Sequence, residues 1–249
     1  MVDIFFDSFE NDDATRTPYV TAGEAVLPDN AGSFNGDNPH HGIRNLRSYL
    51  PASQTDQYAM EYYDVAGFNP VYARLMNAKF SVLPTTAGKD VRVLSFAQLT
   101  SGEALGYAGV INDGGTLKWF IRAISTGTTF TNYLSVTGNV PSAGTNYVIE
   151  AGIYRANGTG YMRLYVDGVL EVDTGNVDND ARNLNYAWAG YSFSDSDGLA
   201  YFYGDCLQLA EAYIGSEVSA VNRAIKRVLS RNLRNNRFHS GIIQYRRIV

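Results

Sequence analysis

The stretch YMRLYVDGVLEV, residues 161–172, decides how this chain folds. Two short runs rich in aromatic and branched residues flank Asp167-Gly168, the pattern of a β-hairpin. Asp-Gly suits a two-residue type I′ turn, whose positive φ costs glycine nothing. In the register such a turn sets, Val166 faces Val169, Tyr165 faces Leu170 and Arg163 sits opposite Val172. Neither face of this hairpin is purely polar. It is therefore expected to be covered in part on both sides, as framework rather than as the rim of a catalytic cleft.

Outward from the hairpin, the first 215 residues repeat the same grammar. DIFFDSF, DQYAMEYYDV, VYARLMNAKFSVLP, DVRVLSFAQL, GYAGVIND, TLKWFIRAIS, NYVIEAGIYRA, YAWAGYSF and LAYFYGDCLQLAEAYIG read as strands. NDGG, STGTT, NVPSAG, ANGTG and SDSDG between them are turn chemistry. Strands at this spacing, with no helical pattern between them, imply a sandwich or barrel. Residues 28–57, rich in Pro, Gly, Asn and Asp, read as a long loop decorating it. No internal repeat is present.

Alternation divides the strand faces. In TLKWFIRAI, Leu117, Trp119, Ile121 and Ala123 form the core side, and Lys118, Phe120, Arg122 and Ile124 the other. In YVIEAGIYRA, Ile149, Ala151 and Ile153 oppose Glu150, Gly152 and Tyr154. The second sets mix charge with rings, as a ligand-facing sheet does, or form the ordinary wet side of an antiparallel sheet.

The tail, residues 216–249, differs. Ser216 is a good N-cap and Glu217 stands in the first turn. Val218, Val221, Ile225, Val228, Leu229 and Leu233 recur at helical spacing with Arg and Lys between them, so an amphipathic basic helix is expected, followed by the arm GIIQYRRIV. The tail holds eight Lys or Arg against one acid, in a chain whose net charge is −5. An acidic body with a basic tail calls for an acidic partner: the body itself, a neighbouring subunit or nucleic acid. The apolar stripe favours packing through Val221, Ile225 and Val228, with Arg223, Arg227 and Arg231 left to partner choice, over a free nucleic-acid arm.

With 249 residues and 45% hydrophobic content the chain can bury a sizeable core. Its single cysteine, Cys206, allows no internal disulfide. No apolar run reaches the roughly 18 residues of a membrane helix, and MVDIFFDSFENDD does not resemble a signal peptide.

FFDSFE near the start, YMRLYVDGVLEV in the middle and LAYFYGDCLQLAEAYIG at the end together resemble the laminin-G-like, concanavalin A-like jelly-roll superfamily of lectins and glucanases. Arg163, Leu164, Tyr165, Val166, Asp167 and Gly168 carry the family's late hairpin, and the resemblance covers about residues 3 to 215. It implies an all-β, two-sheet antiparallel jelly-roll sandwich over residues 1–215, with the basic helical extension over 216–249. Glycan-binding modules, glucanases, polysaccharide lyases and virion surface domains share that fold, so it leaves function open.

The enzyme motifs of the family are incomplete. Glucanases set three acids along one strand; here Glu171 and Asp173 have only Gly175 and Asn176 where the third would stand. The lyases' Arg-x-Glu-x-Arg strand is absent, and Arg44 and Arg47 lack its acid. His40, His41 and His239 are candidate bases, but the adjacent pair sits in a Gly/Asn/Pro loop that reads as solvated surface. No zinc spacing involves Cys206. Asp195 to Gly198 and Asp178 to Asp180 could offer oxygen ligands to calcium or form plain Asx turns, and no cofactor is required.

The expected function is therefore a non-catalytic structural or adhesion component of a larger assembly, on a virion or other extracellular surface. Homo-oligomer contacts and glycan are the expected partners, and nucleic acid and membrane are not. Glycan is expected on Arg122, Glu150 and Tyr154, with Trp188 or Tyr191 stacking at a rim. The alternative is a polysaccharide lyase or glycoside hydrolase of the same fold.

Overall fold

The computed structural model describes residues 3–7, 17–20, 24–26, 46–50, 57–98, 104–126, 129–180, 182–193 and 200–215. The chain divides into two units, Met1–Ile214 and Gly215–Val249. The first carries every described strand. The expected helix, with Val221, Ile225, Val228, Arg223, Arg227 and Arg231, lies outside the described residues, as do His40, His41, Arg44 and His239.

Fifteen strands follow one another among the described residues. They are β1 (Asp3–Asp7), β2 (Thr17–Val20), β3 (Glu24–Val26), β4 (Leu46–Leu50), β5 (Gln57–Asp64), β6 (Val71–Phe80), β7 (Asp90–Ala97) and β8 (Ala104–Asp113). Then come β9 (Thr116–Thr126), β10 (Thr129–Leu134), β11 (Asn146–Tyr154), β12 (Tyr161–Val166), β13 (Val169–Asp173), β14 (Tyr186–Phe193) and β15 (Ala200–Ala210). No helix occurs among the described residues. Sheet A runs β13-β12-β11-β6-β15-β4-β3, and sheet B runs β10-β9-β8-β7-β14-β5-β2. All pairings among the described strands are antiparallel. The outer edge of β15 is shared: residues 200–204 pair with β4, and Leu207 to Ala210 with β1. This is the two-sheet jelly-roll sandwich that the sequence implied.

The core lies between the sheets. Trp119, Phe80, Phe96 and Phe202 are fully buried, and Phe80 bridges Trp119 and Phe202 at centroid distances of 6.2 and 5.4 Å. Trp119, Ile121, Ala123, Ile149, Ala151 and Ile153 all join it, as alternation required. Phe120 and Ile124, read as the other side of β9, are also fully buried. Ile124 enters the core where the β9–β10 register shifts, and the Arg122 guanidinium lies 6.0 Å from the Phe120 ring.

Three local departures shape the sheets. Residues 46–50, read as part of a loop, form β4, because Leu46 is buried and the segment pairs with β15. Asn77 and Cys206 take left-handed backbone, with φ of 45° and 49°, where β6 and β15 shift register. Such bulges re-aim the side chains that follow. In the hairpin, Asp167 and Gly168 have φ of 52° and 82°, the type I′ signature, and the Asp167 carboxylate accepts from Val148 N–H at 2.8 Å. Val166 faces Val169 and Tyr165 faces Leu170 as expected, but a bulge then sets Leu164 against Val172 and Arg163 against Asp173. The cause is Glu171, whose buried carboxylate is held from the β10–β11 loop by the Thr137 hydroxyl and, at 2.8 Å, by the Asn139 amide.

Candidate functional site

β11 lies between β12 and β6 in sheet A and turns Glu150, Gly152 and Tyr154 away from the core. Its neighbours align their own outward residues with these. Arg163, Gly152, Tyr72 and Ala210 form one cross-strand row, and Tyr165, Glu150, Arg74 and Gln208 form the next. Tyr154 faces Tyr161.

The first row depends on a missing side chain. A Cβ on residue 152 would run into the Tyr72 ring, so glycine lets that ring cross β11. The Tyr72 hydroxyl thereby reaches the Tyr161 hydroxyl at 3.2 Å. Tyr161 lies 5.5 Å from Tyr154 and carries the Arg163 guanidinium 4.2 Å from its ring centroid. Arg163 Nε donates to Asp173 Oδ2 at 2.9 Å, a contact that exists because of the bulge at Glu171. Tyr154, Tyr161 and Arg163 are half-buried, so rings and charge are both offered to solvent.

The second row is closed from above. Arg74 Nη2 donates to Gln208 Oε1 at 2.7 Å. After β15 the chain turns back over its own sheet. Ile214 N–H donates to Glu150 Oε1 at 2.6 Å, Tyr213 stacks on Tyr165, and the Tyr213 hydroxyl donates to Gly168 O at 3.2 Å. Glu150 and Ile214 are consequently buried. Beyond this strap the face continues: Tyr201 and Tyr203 stack 6.2 Å apart, with Arg47 6.0 Å from the former ring and Lys79 5.9 Å from the latter. From β13 to β4 the face spans about 24 Å, at about 4.8 Å per strand.

Burial pushes the Tyr72 phenol well above its ordinary range, and its bond to Tyr161 adds to the shift. Burial also raises Tyr165, with Glu150 and Asp173 adding to it and Arg163 opposing. For Arg163, burial acts downward, but the hydrogen bond and charge of Asp173 outweigh it. At neutral pH these phenols are protonated. They can stack and hydrogen-bond, but they are not phenolate bases.

The five residues expected to hold glycan do not share one face. Glu150 and Tyr154 are on sheet A, with Glu150 beneath the strap. Arg122 and Trp188 belong to β9 and β14 of sheet B. Trp188 is not a rim residue: it is 2% exposed, packed with Met60 and Ala97 and 5.7 Å from the Tyr62 ring. The side chain of Tyr191 lies outside the described residues. Glu171 and Asp173 are committed to different partners and do not converge. Asn179, between Asp178 and Asp180, buckles the β11–β12 hairpin through Tyr154 O and Ala156 N–H, at 3.0 Å each. Residues 195–198 are outside the description. Among the described residues no three His, Cys, Asp or Glu side chains gather as metal ligands.

Sequence reasoning passed over Tyr72, Arg74, Tyr161 and Tyr213 as site residues, and read Arg163 and Tyr165 as hairpin framework. The signal was there: Tyr, Arg and Tyr alternate at 161, 163 and 165, and Tyr and Arg at 72 and 74.

No family model matches the chain, and no curated protein sequence does. Solved structures do resemble it. "Cellulose induced protein, Cip1" superposes with a TM-score of 0.57 at 13% identity, over 85% of this chain and 99% of that one. Alginate lyase Aly36B gives 0.51 at 17% identity, over 82% and 98%. The botulinum neurotoxin serotype G binding domain structure gives 0.53 at 11% identity, over 90% of this chain and 51% of that one. At these identities the likeness establishes the two-sheet jelly-roll sandwich fold and nothing about activity.

Proposed function

We propose that this chain is a non-catalytic glycan-binding sandwich serving as an adhesion or structural part of a larger assembly, and that the outer face of sheet A holds the glycan. The observation that carries this reading is the Tyr72–Tyr161–Tyr154 group with Arg163 and Asp173 beside it. The half-buried rings of Tyr154 and Tyr161, with the buried Tyr72 supporting Tyr161 from behind, can accept the C–H face of a sugar, and a fixed Arg–Asp pair orients hydroxyls. The names of two structural neighbours, an alginate lyase and a cellulose-induced protein, are compatible with a polysaccharide ligand. A virion or other extracellular particle is the proposed setting.

The test is a glycan array followed by titration of the best ligand. Tyr161→Ala and Arg163→Ala should each weaken binding about tenfold, about 1.4 kcal/mol. Absence of any glycan binding by the wild type would leave the structural role alone. For that role, sedimentation of the full chain beside one ending before Ser216 is decisive: equal oligomeric states would remove the tail from assembly.

A second reading is a polysaccharide lyase, favoured by the row of Tyr165, Glu150, Arg74 and Gln208 in the floor of the face. An arginine can neutralise a uronate carboxylate, and a phenol can deliver a proton. It ranks second because Glu150 is spent on Ile214 N–H and lies under the strap. Ultraviolet absorbance from new double bonds over a polyuronate panel would promote it.

A further inference from the structure

The large apolar side chains that stand exposed among the described residues fall on one side of the sandwich. They are Phe130 (38%) on β10, Val136 (97%) and Val140 (55%) in the β10–β11 loop, and Val169 (54%) and Leu170 (42%) on β13. β10 and β13 are the outer strands of sheets B and A, and neither has a strand partner on its outer side among the described residues. The two edges come together there. The loop is fixed against β13, because the Thr137 hydroxyl and the Asn139 amide both donate to the Glu171 carboxylate, the latter at 2.8 Å. Val136 and Val140 adjoin these two donors in the chain, and Leu170 adjoins Glu171. Val136, Val140, Val169 and Leu170 therefore form one patch.

Charge is missing from the same side. No residue between Arg122 and Glu150 is charged, although Asp, Glu, Lys and Arg make up 18% of the chain. On β13, Glu171 is buried and Asp173 pairs with Arg163 at 2.9 Å. The carboxylate of Asp167, in the adjoining turn, accepts from Val148 N–H. Edge strands open to water usually carry charge, which keeps other chains away, but β10, with the sequence TFTNYL, carries none. β13 is five residues long and bulged, with its Glu171 turned inward, and such an edge resists the addition of a strand. What this side offers a partner is apolar side chains and an uncharged loop. An open apolar patch beyond about a few hundred Å² marks a site of interaction.

We infer that the β10–β13 side is an interface between two copies of this chain, packed side chain to side chain about a two-fold axis. A two-fold contact sets one patch against itself. A charged patch would repel its own copy, whereas the carboxylates beside this one are already answered within the chain. An acidic or basic partner would find no counter-charge on the loop. The size also fits. Residues 129–145 with Val169 and Leu170 offer roughly the 20 residues that one side of a standard interface uses. Val136, almost wholly in water in the single chain, has the most apolar area to bury. The interface depends neither on the glycan reading of sheet A nor on the tail.

Sedimentation equilibrium of the full chain over a concentration series tests this. The wild type should dimerise. Val136→Lys combined with Leu170→Lys should weaken the dimer about a hundredfold, because a two-fold contact repeats each charge in both copies. Val136→Glu combined with Leu170→Glu should do the same. Both positions are exposed, so unfolding midpoints should match the wild type at concentrations where it is dissociated. An equimolar mixture of the lysine and glutamate variants should regain dimers, a recovery that only contact between copies produces. Glycan titration of the same variants reads the tyrosine face separately, so either proposal can fail alone. A wild type that stays monomeric, as it would if the tail or another protein took this side, would overturn the inference. So would dimers of wild-type strength in both double variants, or no gain on mixing them.

Discussion

Tyr213 stacks on Tyr165 with ring centroids 4.0 Å apart and planes 26° apart. The contact joins the segment after the last strand to the hairpin strand β12, three strands away across sheet A. It holds the strap over Glu150. A stacked aromatic pair contributes about 0.5–1.5 kcal/mol beyond its buried area. Tyr213→Ala should therefore lower stability by about 1–2 kcal/mol, whereas Tyr213→Phe keeps the stack and should lose under about 1. Urea unfolding of the three proteins measures this. Equal midpoints for wild type and Tyr213→Ala would make the stack incidental.

The buried phenols give stability an alkaline limit. Burial raises Tyr72 and Tyr165 above the unfolded value of 10.0. Below the unfolded value both states keep these protons, and the stabilisation is fully present. Above it the unfolded chain releases them first, so stability falls as pH rises from about 10 towards the folded values. Tyr72→Phe should flatten part of that fall while leaving the acid side of the profile unchanged. Unfolding midpoints of wild type and Tyr72→Phe at pH 8, 10 and 11 decide it. Parallel curves would show that Tyr72 titrates as it does in the unfolded chain.

What the sequence makes legible follows from its periods. Alternation named the core side of β9 and β11 correctly at Trp119, Ile121, Ile149 and Ala151, and Asp167-Gly168 named the turn. Alternation tells which side of a strand a residue takes, but not which sheet holds the strand. That is why Arg122 and Glu150, each on an outward side, were joined into one site and lie on opposite sheets. Bulges are the second gap. One extra residue at Glu171 moves Arg163 from Val172 to Asp173, and nothing local in LEVD announces it, because the cause is Thr137 and Asn139 in a distant loop. The strap is the third. AYIG after β15 reads as more strand until Glu150 claims the Ile214 N–H.

Gly152 offers the sharpest test of how the tyrosine face is built. A methyl group there meets the Tyr72 ring, which cannot swing freely: it is 3% exposed, it packs with Ala210 and Ile214, and its hydroxyl bonds Tyr161. Gly152→Ala should cost about 1–3 kcal/mol, as overpacking does, although alanine suits a strand better than glycine by about 0.5–1 kcal/mol. Tyr72→Ala should cost about 3 kcal/mol from the lost ring. In the double variant the clash has no second party, so adding Gly152→Ala to Tyr72→Ala should cost nothing or gain a few tenths of a kcal/mol. The coupling between the two sites should therefore be about 1–3 kcal/mol, and urea unfolding of the four proteins measures it directly. Glycan binding separates packing from recognition. Gly152→Ala should weaken the ligand by disturbing Tyr161, and the double variant should stay weak although its Gly152 penalty has vanished. Additive stabilities would mean that the Tyr72 ring does not lie across β11 in solution.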